Sequence, residues 1–169
     1  MMIGFVGKIG SGKDTASDYL IEKYGFVSLK LSDVITDELM QLGIDSTREN
    51  KQIMGTKMRS EHGKDVLMRK LFDKVERGKN YIFNGVRHPE EAEFLRRKGG
   101  FLVKIDCNPK MRFERTKKRD KIDLKEFQTM DNRESEKAIE EIRTDFTIDN
   151  SRNLESLHKQ LDNLIKKIS

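Results

Sequence analysis

The strongest chemical signal in the sequence is the run Gly7-Lys8-Ile9-Gly10-Ser11-Gly12-Lys13-Asp14-Thr15. Its spacing is that of a phosphate loop, G-x-x-x-x-G-K, with Asp14 where Ser or Thr is usual and Thr15 one place later. Glycines let the backbone curl until successive N–H groups face one concavity, and such a nest holds an anion. A helix beginning near Lys13 adds the positive end of its dipole, and the Lys13 ammonium adds a mobile cation. The stretch predicts a site for nucleotide phosphates, against the alternative of a plain glycine-rich strand-to-helix turn. Asp14 has two readings as well. Hard cations favour carboxylate oxygen, so Asp14 can hold Mg2+ directly or through water, with the Thr15 hydroxyl one step along. Alternatively Asp14 only caps the helix.

A loop of this kind needs a sheet behind it, and the remaining chain supplies the pattern. Met2, Ile3, Phe5 and Val6 form the strand before the loop. Ala16, Tyr19, Leu20 and Tyr24 recur at helical spacing up to Gly25, and Phe26–Leu31 alternates like a strand. Ser32-Asp33 reads as the cap of a helix reaching Leu42, and Ser46–His62 as a further helix containing Gly55. A helix marked by Leu67, Leu71, Phe72 and Val75 precedes the buried strand Tyr81-Ile82-Phe83, which ends in Asn84-Gly85-Val86-Arg87. Pro89-Glu90-Glu91 opens a helix, Phe101–Asp106 is a strand, and Asn108-Pro109 opens another helix to Arg119. Glu126–Arg143 reads as one charged helix, Phe146–Asp149 as the fifth strand, and Leu154–Ile168 as a helix with a clear apolar face. Strands alternating with helices predict an α/β fold: a three-layer arrangement with a five-stranded parallel sheet between helices. The helical surplus over residues 32–80 reads as an insertion above the sheet.

In open parallel sheets ligands sit beyond the carboxyl ends of the strands. Ser32-Asp33, Asn84 to Arg87, Asp106 and Asp149-Asn150 all stand there, and together they suggest a polar rim beside the loop. Arg112, Arg115 and Arg119 share one face of the helix after the fourth strand, suited to bidentate phosphate contacts or to a solvated basic surface. Arg87 is the best-placed single arginine. Arg48 and Arg59 fall in the helical insertion, where an acceptor phosphate could be held or where they are ordinary surface arginines.

Composition narrows the classes. At 169 residues the chain is expected to form one domain, 37% charged against 35% hydrophobic, with a thin apolar interior. No apolar run approaches the roughly 20 residues of a membrane span, and no basic-then-apolar leader precedes the first strand. A lone cysteine, Cys107, excludes an internal disulfide and makes the cytoplasm the expected location. The net charge of +5 comes from 34 basic residues interspersed with 29 acidic ones. Without a block of like charge or basic clusters interleaved with aromatics, nucleic acid and membrane are not the expected partners, and a site for several phosphates accounts for the excess. A monomer or homodimer is expected.

The loop GKIGSGKDTAS resembles the variant phosphate loop, with Asp after Lys, of phage-type deoxynucleoside monophosphate kinases and animal-type phosphomevalonate kinases. RSEHGKDVLMRKL, YIFNGVRHPEEAEFLRRKGG, NPKMRFERTKKRD and TIDNSRNLESL resemble the archaeal adenylate kinase-related and dephospho-CoA kinase-like proteins. That resemblance implies a single P-loop kinase domain over 1–169, with an acceptor-binding insertion at 32–80 and a short lid at 112–125. It implies that Arg87 contacts acceptor phosphate, as the arginine of an Asp-Gly-x-Arg motif, and that Arg115 and Arg119 are lid arginines. One departure is Asn84, where the archaeal group has Asp; Asp33 matches the position of the acid in dephospho-CoA kinases.

The expectation is an ATP- and Mg2+-dependent kinase for a small phosphorylated acceptor, above all a nucleoside monophosphate. Lys13 and the loop amides would hold the β- and γ-phosphates, Asp14 or Thr15 the metal, and Arg87 with Asp33, Arg48 and Arg59 the acceptor. One alternative is a dephospho-CoA kinase using Asp33 as base on an alcohol; another is a nucleotide-dependent switch without an acceptor.

Overall fold

The computed structural model describes residues 1–169. Five parallel strands, β1 (Met2–Val6), β2 (Val27–Lys30), β3 (Tyr81–Val86), β4 (Phe101–Asp106) and β5 (Phe146–Asp149), lie in the order β2-β3-β1-β4-β5. The strand that feeds the glycine-rich loop is therefore central, hydrogen-bonded on both edges. Its residues alternate between the two faces, as a pleated strand requires. Ile3 and Phe5 join Ile82, Val103, Ile105 and Ile148 beneath α1 (Lys13–Tyr24) and α9 (Leu154–Ile168). Val6 joins Tyr81, Phe83 and Leu102 on the opposite face. Helices α2 (Leu31–Gln41), α3 (Arg48–His62), α4 (Val66–Phe72) and α5 (Pro89–Arg97) cover that second face.

The two ends of the α1–α9 layer are tied together. Leu157, Leu161, Leu164 and Ile165 of α9 meet Ala16 and Leu20 of α1 over the sheet. At the far end of α1, Asp162 accepts hydrogen bonds from Tyr19 Oη (2.7 Å), Tyr24 Oη (2.7 Å) and Lys23 Nζ (2.8 Å). Tyr19 also stacks on His158, with ring centroids 3.9 Å apart.

Three local readings change. Helix α2 begins at Leu31 with Lys30 as its N-cap, so Ser32 and Asp33 sit inside its first turn instead of capping it. The helix read as starting at Ser46 begins at Arg48, where the Thr47 side chain accepts from Asn50 N–H at 3.1 Å. The single helix expected over 126–143 is three pieces: α7 (Leu124–Asp131), α8 (Glu134–Lys137) and a 3-10 turn (Ala138–Glu141). Asp123 starts α7 through a capping box with Glu126. Between α7 and α8 the backbone turns extended at Arg133 (ψ 150°), and past that break Ile139 and Ile142 reach the core while Glu136 reaches the loop.

Between β4 and β5 also lies α6 (Pro109–Asp120), capped by Asn108, whose side chain accepts from Met111 N–H at 2.9 Å. No helix is long and apolar enough to cross a membrane. Leu161 is fully buried between α9 and the sheet. Leu161→Ala is expected to lower the unfolding free energy by about 2–5 kcal/mol in urea titrations, from lost transfer energy and the cavity left behind.

Candidate functional site

The loop leaves β1 at Gly7 and closes at Gly12, the N-cap of α1, with no side chain capping the helix. Ala16 N–H is the first to return into the helix, to Gly12 O at 3.0 Å. By helix geometry the amides of Lys13, Asp14 and Thr15 have no acceptor within α1, which is the condition for an anion nest. The outer side of the loop rests on backbone. A Cβ on Gly10 would stand 2.5 Å from the Arg112 carbonyl oxygen, so only glycine allows that approach. From the other side Asn150 Nδ2 donates to Ser11 O at 2.8 Å. Ser11 Oγ is buried without a hydrogen-bond partner. Lys13 folds back across the loop, its Nζ donating to Gly7 O (2.5 Å) and Lys8 O (3.2 Å). Burial, then the positive charge of Arg87, lowers the Lys13 ammonium from 10.5 to about 7.

The rim beyond β2 and β3 carries the next groups. Asp14 Oδ1 accepts from Asn84 Nδ2 at 3.0 Å and pairs with Lys30 Nζ at 3.1 Å; Asn84 also donates to Ser17 Oγ at 3.2 Å. The β1–β3 register slips after Phe5↔Asn84, and Val6 pairs with Val86. The skipped residue, Gly85, has φ 92°, a conformation that other residues rarely adopt, so Asn84 and Arg87 take up their places around a bulge. Arg87 N–H donates to Glu91 Oε2 at 2.9 Å, and the Arg87 guanidinium pairs with Glu136. Glu91 is fully buried at the start of α5 and also accepts from His88 N–H (3.2 Å) and Arg59 Nη2 (3.0 Å). Burial raises the Glu91 carboxyl and Arg59 opposes it. For Arg87, burial lowers the pKa, Glu91 opposes, and the charges of Arg59, Arg48 and Arg133 add to the lowering. His88 is lowered to about 4 by burial and then by Arg59, so its imidazole is neutral near pH 7.

The arginines of α6 diverge. Arg112 is buried in a bidentate pair with Asp131 (2.5 and 3.0 Å) and also donates to Ile9 O at 3.3 Å. Arg115 lies under the loop: Nη2 donates to Asn150 O at 3.0 Å, and Nη1 reaches Ser11 O at 3.5 Å and Cys107 Sγ at 3.3 Å. Arg119 pairs with Asp120 at 2.6 Å, while its charge bears on Lys13. Arg48 reaches across from α3 to Asp120 Oδ2 (3.5 Å) and Met130 Sδ (3.2 Å). Lys13 thus feels the charges of Arg87, Asp14 and Arg119, while Arg59 shares Glu91 with the Arg87 backbone and Arg48 shares Asp120 with Arg119. Thr15 is exposed on the first turn of α1, and Asp33 is exposed with no hydrogen bond or ion pair through its side chain. No cluster of three or more acidic, His or Cys side chains forms a protein-only metal cage.

Sequence reasoning misses Lys30, Glu91 as a buried group, Arg133 and Glu136. Glu91 carries a visible signal, an acid at the third helical position after Pro89. Glu136 carries none, because its role depends on a break in a helix that local pattern predicts to be continuous.

A family model described as an AAA domain matches residues 3–141. The chain is 30% identical to a UPF0200 protein of Aeropyrum pernix, the match covering 70% of this chain and 65% of that one. It is also 30% identical to a UPF0200 protein of Methanothrix thermoacetophila, over 72% of this chain and 68% of that one. Against a UPF0200/UPF0201 protein of Archaeoglobus fulgidus it is 27% identical and spans only 56% of the relative's length. Among solved structures, a shikimate kinase from Aquifex aeolicus superposes with TM-score 0.62 at 16% identity, covering 99% and 98% of the two chains. A gluconokinase from Sinorhizobium meliloti gives TM-score 0.58 at 15% identity, covering 99% and 94%. The architecture is accordingly the P-loop kinase fold.

Two measurements follow from the electrostatics. A polyanion at the loop is expected to restore the Lys13 proton, so titration of ATP at pH 8 takes up close to one proton; calorimetry in buffers of different ionisation enthalpy reads this, and a buffer-independent heat contradicts it. Affinity then weakens as pH rises above about 7. Asn84→Asp would set two carboxylates about 3 Å apart, and it is expected to cost about 1–3 kcal/mol at neutral pH. Because a shared proton has a raised folded-state pKa, that loss shrinks as pH falls, which melts from pH 8 to 5 would show.

Proposed function

The chain belongs to the UPF0200 family and carries the AAA domain, and from that premise we propose that it is an ATP- and Mg2+-dependent phosphotransferase. Its acceptor is a small phosphorylated molecule, a (deoxy)nucleoside monophosphate in the favoured case. The observation that carries this reading is a pair of adjoining anion receptors. One is the loop with its free amides and Lys13. The other is Arg87, part exposed at the end of β3 and tied to the same loop through Glu136, with Arg59 sharing the Glu91 carboxylate that holds the Arg87 backbone. Two adjoining positive centres suit a donor and an acceptor that both bear phosphate. The fold, shared with solved kinases, supports transfer of a phosphoryl group.

In this reading the loop amides and Lys13 bind the β- and γ-phosphates, and Lys13 gains its proton as they enter. Asp14 would hold Mg2+, with the Thr15 hydroxyl, phosphate oxygens and water completing its shell. A single carboxylate beside a phosphate site is the usual protein share for that ion, which keeps much of its water. When bound, the ion spreads the charge of the transferring group. Arg119 adds positive charge that bears on Lys13, and Arg115 keeps the loop in shape through Ser11 O and Asn150 O. Arg87 orients the acceptor. Residues 32–80 would form the acceptor side and 112–125 a cover that excludes water, limiting hydrolysis. A phosphate acceptor is already nucleophilic and needs no base, which fits Asn84 where a carboxylate would otherwise stand.

A second reading, an alcohol acceptor such as dephospho-CoA, is favoured by Asp33, whose exposed carboxylate is unpaired beside the end of β2. The likeness in fold to kinases named for shikimate and gluconate fits it too.

A substrate panel of nucleoside monophosphates, dephospho-CoA, shikimate and gluconate with coupled ADP detection tests both. Stimulation by a monophosphate is expected, abolished in Lys13→Ala together with most ATP affinity. Stimulation by the alcohols alone, with Asp33→Asn losing about 100-fold in rate at unchanged binding, replaces the favoured reading with the second. ATP binding with no stimulation by any acceptor points to a nucleotide switch.

A further inference from the structure

Glu136 is a carboxylate without an obvious employer: it sits in the short helix α8, outside every recognisable motif, and is 3% exposed. Burying an ionised carboxylate is costly unless it is paired and hydrogen-bonded, so its partners explain its presence. Oε2 accepts the backbone N–H of Ile9 in the phosphate loop at 2.8 Å. Oε1 pairs with Nη1 of Arg87. One side chain therefore bridges the loop and the arginine at the end of β3. We propose that Glu136 is a positioning residue: it fixes Arg87 against the loop at Ile9 and so sets the separation between the donor and acceptor anions. The proposal rests on the phosphotransferase reading above for what those anions are.

Three further observations favour positioning over simple bracing. The segment bearing Glu136 is itself anchored. Ile139 and Ile142 are buried in the core, and Glu140 pairs with Lys8 of the loop at 2.6 Å. Glu136 thus hangs from a fixed support. Arg87 is held twice, its backbone N–H by Glu91 and its side chain by Glu136, which leaves its φ/ψ and its fork direction little freedom. Its side chain is nonetheless 34% exposed, so N–H donors not taken by Glu136 remain accessible to a ligand. The buried Arg112–Asp131 pair is a contrast: it joins α6 to α7, and neither carboxylate oxygen reaches Arg87 or a loop N–H.

The test compares Glu136→Gln, Glu136→Asp and Glu136→Ala with Arg87→Ala and the double variant Glu136→Ala/Arg87→Ala. Gln keeps the shape and an acceptor for Ile9 but loses the ion pair, so it reports if Ala does not fold. Independent of any acceptor, amide exchange at Ile9 is expected to quicken about tenfold or more in Glu136→Ala, and the Arg87 Nε–Hε NMR signal to shift or broaden in Ala and Gln. In turnover, the acceptor KM is expected to rise or kcat to fall about tenfold while the KM for ATP changes less than about threefold. The double variant should lose little beyond Arg87→Ala alone, because the two residues act as a unit. Unchanged Ile9 exchange and an unchanged Arg87 signal overturn the proposal whatever the acceptor is. So do losses that multiply in the double variant. If both signals respond but no acceptor supports turnover, the coupling stands and the phosphotransferase reading falls.

Discussion

The uncapped first turn of α1 is the constraint around which the molecule is arranged. Amides that must stay free for an anion cannot be satisfied by a neighbouring side chain, so the usual Ser, Thr or Asp cap is replaced by Gly12. A loop without such internal ties keeps its shape only if other elements hold it. Gly7 packs so closely on the Ile105 carbonyl that a Cβ would come within 2.5 Å, and Gly10 does the same on Arg112. Asn150 and Arg115 take hold of Ser11 O from below. These supports come from β4, α6 and the turn after β5, which explains why β1 must be central and flanked by β4 on that side.

The charge pattern follows the same economy of partners. Arginines gathered on one rim repel one another, and nearly every one is met by an acid: Arg87 by Glu136, Arg59 by Glu91, Arg112 by Asp131, Arg48 and Arg119 by Asp120. Lys13 is different. Its ammonium touches only the carbonyls of Gly7 and Lys8, and no carboxylate pairs with it. Burial first, and the charge of Arg87 second, therefore act on an ammonium with no partner carboxylate, and its pKa is lowered to about 7 while the arginines stay charged.

What local pattern could and could not reveal divides along physical lines. The five strands, the loop and α9 were legible because their signals are periodic or local: alternation in Val27–Lys30, apolar runs in β1 and β3, and one apolar face from Leu157 to Ile165. The rim at Asn84 to Arg87 was visible as polar residues just past an apolar strand. The bulge at Gly85 was not, since a lone glycine there also fits an ordinary turn. Residues 126–143 misled because a charged helical composition says nothing of Ile139 and Ile142 being drawn to the sheet while Glu136 turns to the loop. Lys30 was hidden in strand alternation, its meaning set by Asp14 far away in sequence. The resemblance of motifs to known kinases marks Arg115 and Arg119 alike, but the fold separates them: Arg115 braces the loop from below, and Arg119 pairs with Asp120.

The supports of the loop have a consequence for how the chain is made. Residues 7–13 are synthesised long before Arg112, Glu136 and Asn150, which sit 103, 127 and 139 positions from their loop partners. The far end of α1 waits similarly for Asp162, 143 residues beyond Tyr19. On the ribosome the contacts that brace the glycine-rich segment are therefore missing for most of translation, and the Asn150 contact joins only after β5 has emerged. Such long-range closure makes for slow folding. A nascent chain halted before Asn150 would hold the whole motif without the brace on Ser11 O.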